Sequence, residues 1–397
     1  MLAQNDATGL LDRPLYARDP LHDAPEADAT IGQQVGGWRI TGLLGRGGMG
    51  SVYRAERADE TFEQHAALKL VHPRLGRDFR DRFLRERALL AGLDHPGIAR
   101  LLDGGLDATG APFLVMELVD GEPITTYAEA HGLSIRQRLA LFLQACDAVA
   151  HAHLHLIVHR DLKPDHILVG GIRNTKGMGD AEGVSSSPRV KLLDFGIAKL
   201  LSEDADLTRT GASGPLTPSY AAPEQFLSQP ITTATDVYAL GLVLYELLTG
   251  ARPYALDGLS ASQAERVIVE TTPAAPSSAG PPEAARALRG DLDTIVAKAL
   301  AKEPARRYAT AADLAADLRR YLAGAPVEAR PATARYRASR FLRRNRLAAG
   351  AATLVALALI AGAGVSLWQA VEARAEAAKA EAVSTFLVDL FNAPNPE

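Results

Sequence analysis

The sequence predicts an α+β chain that ends in a membrane-spanning helix, and three observations carry that reading. Strand-like apolar runs, Trp38-Arg39-Ile40, Ala66 to Val71 and Phe113 to Val119, fall in its first third. Helical apolar periodicity takes over afterwards, in Leu139 to Leu156, Leu292 to Leu300 and Ala312 to Leu322. Leu347 to Trp368 then carries no formal charge. At about 1.5 Å per residue, a helix of that length covers roughly 30 Å of hydrocarbon.

Composition sets the outer limits. With 397 residues the chain can bury a large core, and a formal charge of -4 argues against a general nucleic-acid binder. The single Cys146 excludes an internal disulfide framework, and its place in an apolar helical pattern makes it a packing residue. Residues 1–30 carry Asp and Pro throughout with no continuous apolar core, so they do not form a signal peptide, which puts the start of the chain in the cytoplasm. Residues 1–36 read as a flexible tail.

Taken in order, Gly45, Gly47 and Gly50 let a strand turn tightly and bring backbone N–H groups near an anion, although an ordinary glycine hairpin would look the same. Lys69 lies within a strand-like run. Phe79 to Leu93 has one apolar face among arginines, which predicts a helix that His95-Pro96 ends. Asp120-Gly121 breaks the strand at Phe113 to Val119. On the Leu139 to Leu156 helix, His151, His153 and His155 lie two apart and so do not share a face, which rejects a metal site there. Val158 to Val169 reads as a loop hung between two short buried strands, Leu156 to Val158 and Ile167 to Val169, and it holds Asp161 and Lys163. Residues 170–188 are Gly- and Ser-rich without periodicity and predict a mobile loop. Asp194 follows a buried strand and precedes a glycine, well placed to reach a metal bound to phosphates. Thr271 to Pro282 reads as a connector.

These pieces, in this order, resemble the bacterial transmembrane serine/threonine protein kinases of eukaryotic type over about residues 38–323. The motifs are Gly45 to Val52, Lys69 in Ala66 to Val71, His159-Arg160-Asp161 with Lys163, Asp194-Phe195-Gly196, Ala222-Pro223-Glu224 and Asp236 to Gly241. The resemblance implies a two-lobed kinase-like fold, with a β-rich small lobe over 37–119 and a helical large lobe over 120–324 that includes an inserted loop at 170–188 beside the active site and an activation segment at 194–224. It implies ATP between the lobes: Val52 and Met116 flank the adenine, the backbone of Glu117 and Val119 bonds its edge, and Lys69, paired with Glu86, holds the phosphates. Asp161 would orient a Ser or Thr hydroxyl, Lys163 would offset phosphoryl charge, and Thr217 would bridge the two. Asp194 would hold magnesium. His166 stands where the family has a metal-binding asparagine, a weaker ligand that implies reduced magnesium-dependent activity and a relative preference for manganese. Arg160 would catch a phosphate on Thr208 or Thr210, Arg307 would pair with Glu224, and Asp236 would cap and brace the catalytic loop. A pseudokinase that binds nucleotide and serves as a scaffold is the second reading.

Before the span, residues 325–346 concentrate Arg335, Arg337, Arg340, Arg343, Arg344 and Arg346. The positive-inside tendency puts that flank and the large lobe in the cytoplasm, and the tail 369–397 beyond an inner (cytoplasmic) membrane crossed once at 347–368. Trp368 fits an interfacial anchor. The partners expected are protein substrates bearing Ser or Thr, membrane lipid and a second copy of the chain.

Overall fold

A computed structural model describes residues 29–47, 50–59, 63–71, 83, 87–170, 188–195, 218–331, 333, 340 and 346–391. The chain divides into two units, Met1–Ala323 with Val327–Pro331, and Gly324–Pro326 with Ala332–Glu397.

The first unit opens with an antiparallel sheet in the order β1-β2-β3-β4-β6-β5, from β1 (Gln34–Val35), β2 (Trp38–Gly47), β3 (Gly50–Arg57), β4 (His65–Val71), β5 (Leu101–Leu106) and β6 (Pro112–Glu117). Alternation assigns its faces. Tyr53, Ala55, Ala66, Leu68, Phe113 and Val115 point one way and close a core with Val35, Trp38 and Ile40. The strand at Gln34–Val35 pairs with Trp38 and Arg39, so the sheet begins inside the stretch expected to be tail.

The larger lobe is built around two helices. The first, α2 (Ile135–Leu154), follows the short α1 (Ile124–Ala130) and starts where Ser134 and Gln137 form a reciprocal cap. The second, α4 (Thr233–Thr249), follows the short α3 (Pro223–Phe226), is capped by Thr232 and stops at Gly250, whose φ of 74° suits glycine. Nearly every α4 residue is buried, as expected of a helix apolar all round. Gly241 lets α4 approach Ala299 and Leu300, where a Cβ would lie 3.0 Å and 2.9 Å from their side chains. Asp291–Ala299 and Ala311–Leu322 form the two closing helices expected from periodicity.

A second sheet joins β7 (Glu122–Pro123), β8 (Ile167–Gly170) and β9 (Arg189–Leu192) in that order. Leu156 to Val158 is not the strand expected: Leu156 takes φ 61° and is 92% exposed, because α2 runs to Leu154 and the chain must then reverse. Two further expectations change. The connector at 271–282 contains a helix, Pro276–Ala279, with proline in its first turn, and Asp293 accepts from the N–H and hydroxyl of Ser277. The lobe also runs past residue 324. Val327 is buried, and Asp317, itself fully buried, accepts from the N–H groups of Glu328 and Ala329.

Among the described residues of the second unit there is one helix, Arg346–Phe391, of 46 residues. Its stretch Thr353–Thr385 is long and apolar enough to cross a membrane, and none of it is buried. At about 69 Å in all, the helix continues well beyond Trp368.

Candidate active site

Sheet register places the first group of residues. Gly45 stands opposite Val52, Val52 opposite Lys69, and Lys69 opposite Leu114, with Ala67 opposite Met116 two residues along. Cross-strand partners share a face, so Val52, Lys69, Leu114 and Met116 line the side of the sheet away from the Trp38 core. Gly47 and Gly50 are the last partners of the β2–β3 pair. Gly50 has φ 150°, and a Cβ there would lie 1.9 Å from the Leu70 carbonyl oxygen, so this position requires glycine for packing alone. Glu117 ends β6, with its N–H donating to the Arg100 carbonyl at 2.8 Å, and Val119 follows two residues on.

The β8–β9 hairpin assembles the second group. Ile167 pairs with Leu192, so the residues just outside, His166 and Leu193, meet at the hairpin's base, where the Leu193 N–H donates to the His166 carbonyl at 2.8 Å. Asp194 follows at once. The chain leaves the hairpin at its other end, beyond the Gly170–Arg189 pair. Residues 171–187 of the expected insertion lie outside the described residues. The single turn Pro164–His166 brings Asp161 back toward His166, whose Nδ1 donates to the Asp161 carbonyl at 2.7 Å. Asp161 Oδ2 lies 3.8 Å from that nitrogen and 3.9 Å from Lys163 Nζ.

Across the two groups, Lys69 Nζ donates to Asp194 Oδ2 at 2.7 Å. Burial alone would raise the Asp194 carboxyl, but the Lys69 ammonium outweighs it and holds the group below the usual carboxylate range. Burial pushes the His166 imidazole down to about 3, so it is neutral. With its Nδ1 proton held by a carbonyl, Nε2 carries the lone pair. Asp194 thus offers a carboxylate and His166 a neutral imidazole nitrogen, the two kinds of donor that a divalent metal could take here, while no group of three or more His, Cys, Asp or Glu is set to hold a metal among the described residues.

The loop is held from below. Asp236 accepts from the N–H groups of His159 at 2.7 Å and Arg160 at 2.9 Å, and from His153 Nε2 at 2.8 Å. It does not cap its own helix, since Thr232 occupies that place. Arg160 takes φ 66°, and its carbonyl accepts from Gln225. Glu224, on α3, and Arg307 form a two-pronged pair at 2.7 Å and 2.8 Å, with side chains 1% and 0% exposed. Glu86, Thr208, Thr210 and Thr217 lie outside the described residues. Sequence reasoning missed His159 and His153. The buried His159 donates from Nε2 to the Leu193 carbonyl at 2.8 Å and packs 4.8 Å from the Phe195 ring. Its position before Arg160 was the available signal, while nothing local marks His153 as a partner of Asp236.

This geometry can be set beside known proteins. A profile described as "Protein kinase domain" matches residues 38–317. The chain is 35% identical over 298 residues to the serine/threonine-protein kinase PknB of Mycobacterium leprae, covering 74% of this chain and 44% of that one. It is 36% identical over 289 residues to the serine/threonine-protein kinase Pkn1 of Myxococcus xanthus, covering 72% and 38%. It thus spans less than half the length of these relatives. Among solved structures, the PknI kinase domain of Mycobacterium tuberculosis aligns with a TM-score of 0.54 at 26% identity, covering 73% of this chain and 97% of that one. With its β-sheet small lobe, helical large lobe and that match over most of its length, this chain belongs to the protein kinase family.

Proposed function

We propose that this chain is a membrane-anchored serine/threonine protein kinase that transfers the γ-phosphoryl group of ATP to Ser or Thr hydroxyls of proteins, its own included. The observation that carries the reading is the convergence of Asp161, Lys163, His166 and Asp194 at one end of the β8–β9 hairpin, with Lys69 reaching Asp194 from the small lobe. Val52 and Met116 flank the adenine, and the backbone of Glu117 and Val119 bonds its edge. Lys69 exchanges Asp194 for the α- and β-phosphates, freeing the carboxylate, and Glu86 then steadies the ammonium. Asp161 orients the acceptor hydroxyl and takes its proton, Lys163 offsets charge on the transferred group, and Thr217 bridges these two. A divalent cation, when bound by Asp194 and His166 Nε2, supplies charge neutralisation at the phosphates.

An imidazole at the second position suits manganese better than magnesium, so the enzyme prefers manganese. Arg160 catches a phosphate on Thr208 or Thr210 and so orders the activation segment. The Arg335 to Arg346 flank keeps the kinase domain in the cytoplasm, with the tail beyond the membrane. One observation favours a second reading, a nucleotide-binding scaffold: the metal position holds an imidazole that is already bonded to the loop backbone.

The test is radiolabelled phosphate transfer by the full chain in detergent, with each metal, beside Asp161→Asn and His166→Asn. Label on Ser or Thr that Asp161→Asn abolishes, and a gain in magnesium from His166→Asn, supports the kinase. ATP binding without transfer in either metal supports the scaffold.

A further inference from the structure

Lys191 is a lysine in a strand whose two neighbours, Val190 and Leu192, are buried. Alternation turns its side chain to the other face of β9. There Nζ donates to Glu117 Oε2 at 2.7 Å and to the Ile98 carbonyl at 3.3 Å. These acceptors lie in two segments remote in sequence. Glu117 ends the strand that runs into Val119, and Ile98 lies in the turn after His95. The same carboxylate oxygen also accepts from the Arg100 N–H at 3.2 Å, while the Glu117 N–H returns a bond to the Arg100 carbonyl. Next to Lys191, Leu192 donates to the Gly97 carbonyl at 2.8 Å and accepts from Ala99 at 2.9 Å. Two residues back along the same edge of the strand, Gln144 holds the Val190 N–H at 3.0 Å. One ammonium thus joins the turn at 97–100, the stretch at Glu117, and the strand that ends two residues before Asp194.

We propose that Lys191 is a positioning residue for nucleotide, a latch that sets the Glu117–Val119 backbone against the strand carrying Asp194. The inference rests on the kinase reading, in which those two places grip opposite ends of ATP. An exposed ion pair would contribute little. This one differs because the Lys191 side chain is only 19% exposed and because Glu117 Oε2, on a side chain 37% exposed, is already fixed by a backbone N–H. Backbone bonds tie β9 to residues 97–99 and Arg100 to Glu117, so the two places are joined in series through that turn, and Lys191 adds a direct side-chain link between them. Losing it leaves the series of backbone bonds intact but gives the two places more play, which weakens a ligand that must touch both. Because the two groups act as a unit, their removals are not additive.

The experiment is calorimetric titration of the full chain in detergent micelles with ATP and manganese, for the parent, Lys191→Met, Glu117→Gln, the double variant and Lys191→Arg, with a melting temperature for each. Each single variant is expected to weaken ATP binding about three- to tenfold. The double variant should lose no more than the worse single one, and Lys191→Arg should recover most of the loss. In transfer assays the change should fall on KM for ATP more than on kcat. Parent-like affinity in both single variants, fully additive losses, or losses that follow the melting temperature would overturn the latch. If Lys191→Met does not fold, Glu117→Gln and Lys191→Arg still decide, since an intact latch predicts weakening in the first and near-parent binding in the second. A parent chain that binds no ATP removes the kinase reading itself, a result distinct from variants that behave like a binding parent.

Discussion

Replacing Glu224 by glutamine tests whether α3 is held by charge or only by shape. The Arg307 guanidinium has five N–H groups, and each has an acceptor. Nε donates to the Ala301 carbonyl at 2.7 Å, one terminal nitrogen to Glu224 Oε1 and the Ala234 carbonyl, and the other to Glu224 Oε2 and the Lys302 carbonyl. Thr235 donates to the same Glu224 Oε1 at 2.8 Å. The substitution keeps the volume but turns an NH2 group toward an N–H and leaves a buried cation without its counter-charge. Breaking a buried pair in this way costs about 3–5 kcal/mol. At roughly 2–4 °C per kcal/mol for a domain somewhat smaller than this one, the melting temperature should fall by about 10 °C, read by circular dichroism on the full chain in detergent. Removing both charges, Glu224→Leu with Arg307→Met, should recover much of that loss, because burying the pair is itself costly. A single variant that melts within about 2 °C of the parent would show that water reaches the pair and that the reasoning from burial is wrong.

The same carboxylate makes stability depend on acid. Burial would raise Glu224, but the bonds from Arg307 outweigh it and hold the group below its ordinary 4.5. Its contribution is therefore complete above about pH 4.5 and fades as pH falls through the lower folded value, so the urea midpoint should drop more between pH 5 and pH 3 in the parent than in the double variant. Gly50→Ala should cost roughly 2 kcal/mol, because the new Cβ meets the Leu70 carbonyl. It should also weaken ATP binding, since Leu70 adjoins Lys69; parent-like melting would contradict the close approach. Asp236→Ala orphans the buried N–H of His159 and loosens the turn at Arg160. Phosphate transfer should fall at least tenfold while ATP binding stays within about threefold, and transfer at the parent rate would mean that the loop holds itself.

How far the sequence could be read depended on whether a residue's partner was local. Register follows from alternation, so the Ala66 to Val71 and Phe113 to Val119 runs were legible as strands. The closing helices were legible as well, because their apolar period is written in consecutive residues. The Arg307–Glu224 pairing was available only through the resemblance, since 83 positions separate the two. The turn at Leu156 was misread as strand because an apolar residue at φ 61° leaves no local mark, whereas a glycine there would have announced the reversal. A hairpin has two ends, and only the pairing of Ile167 with Leu192 shows which end adjoins Asp161 and Asp194. The Lys191 contact was illegible for the same reason. A lysine in an apolar strand normally points to solvent, and its use here depends on a carboxylate 74 positions away that the fold brings to 2.7 Å. The motifs therefore name the candidate site residues, while the contacts that hold those groups in register are distributed over the chain and become visible only once strand pairing is known.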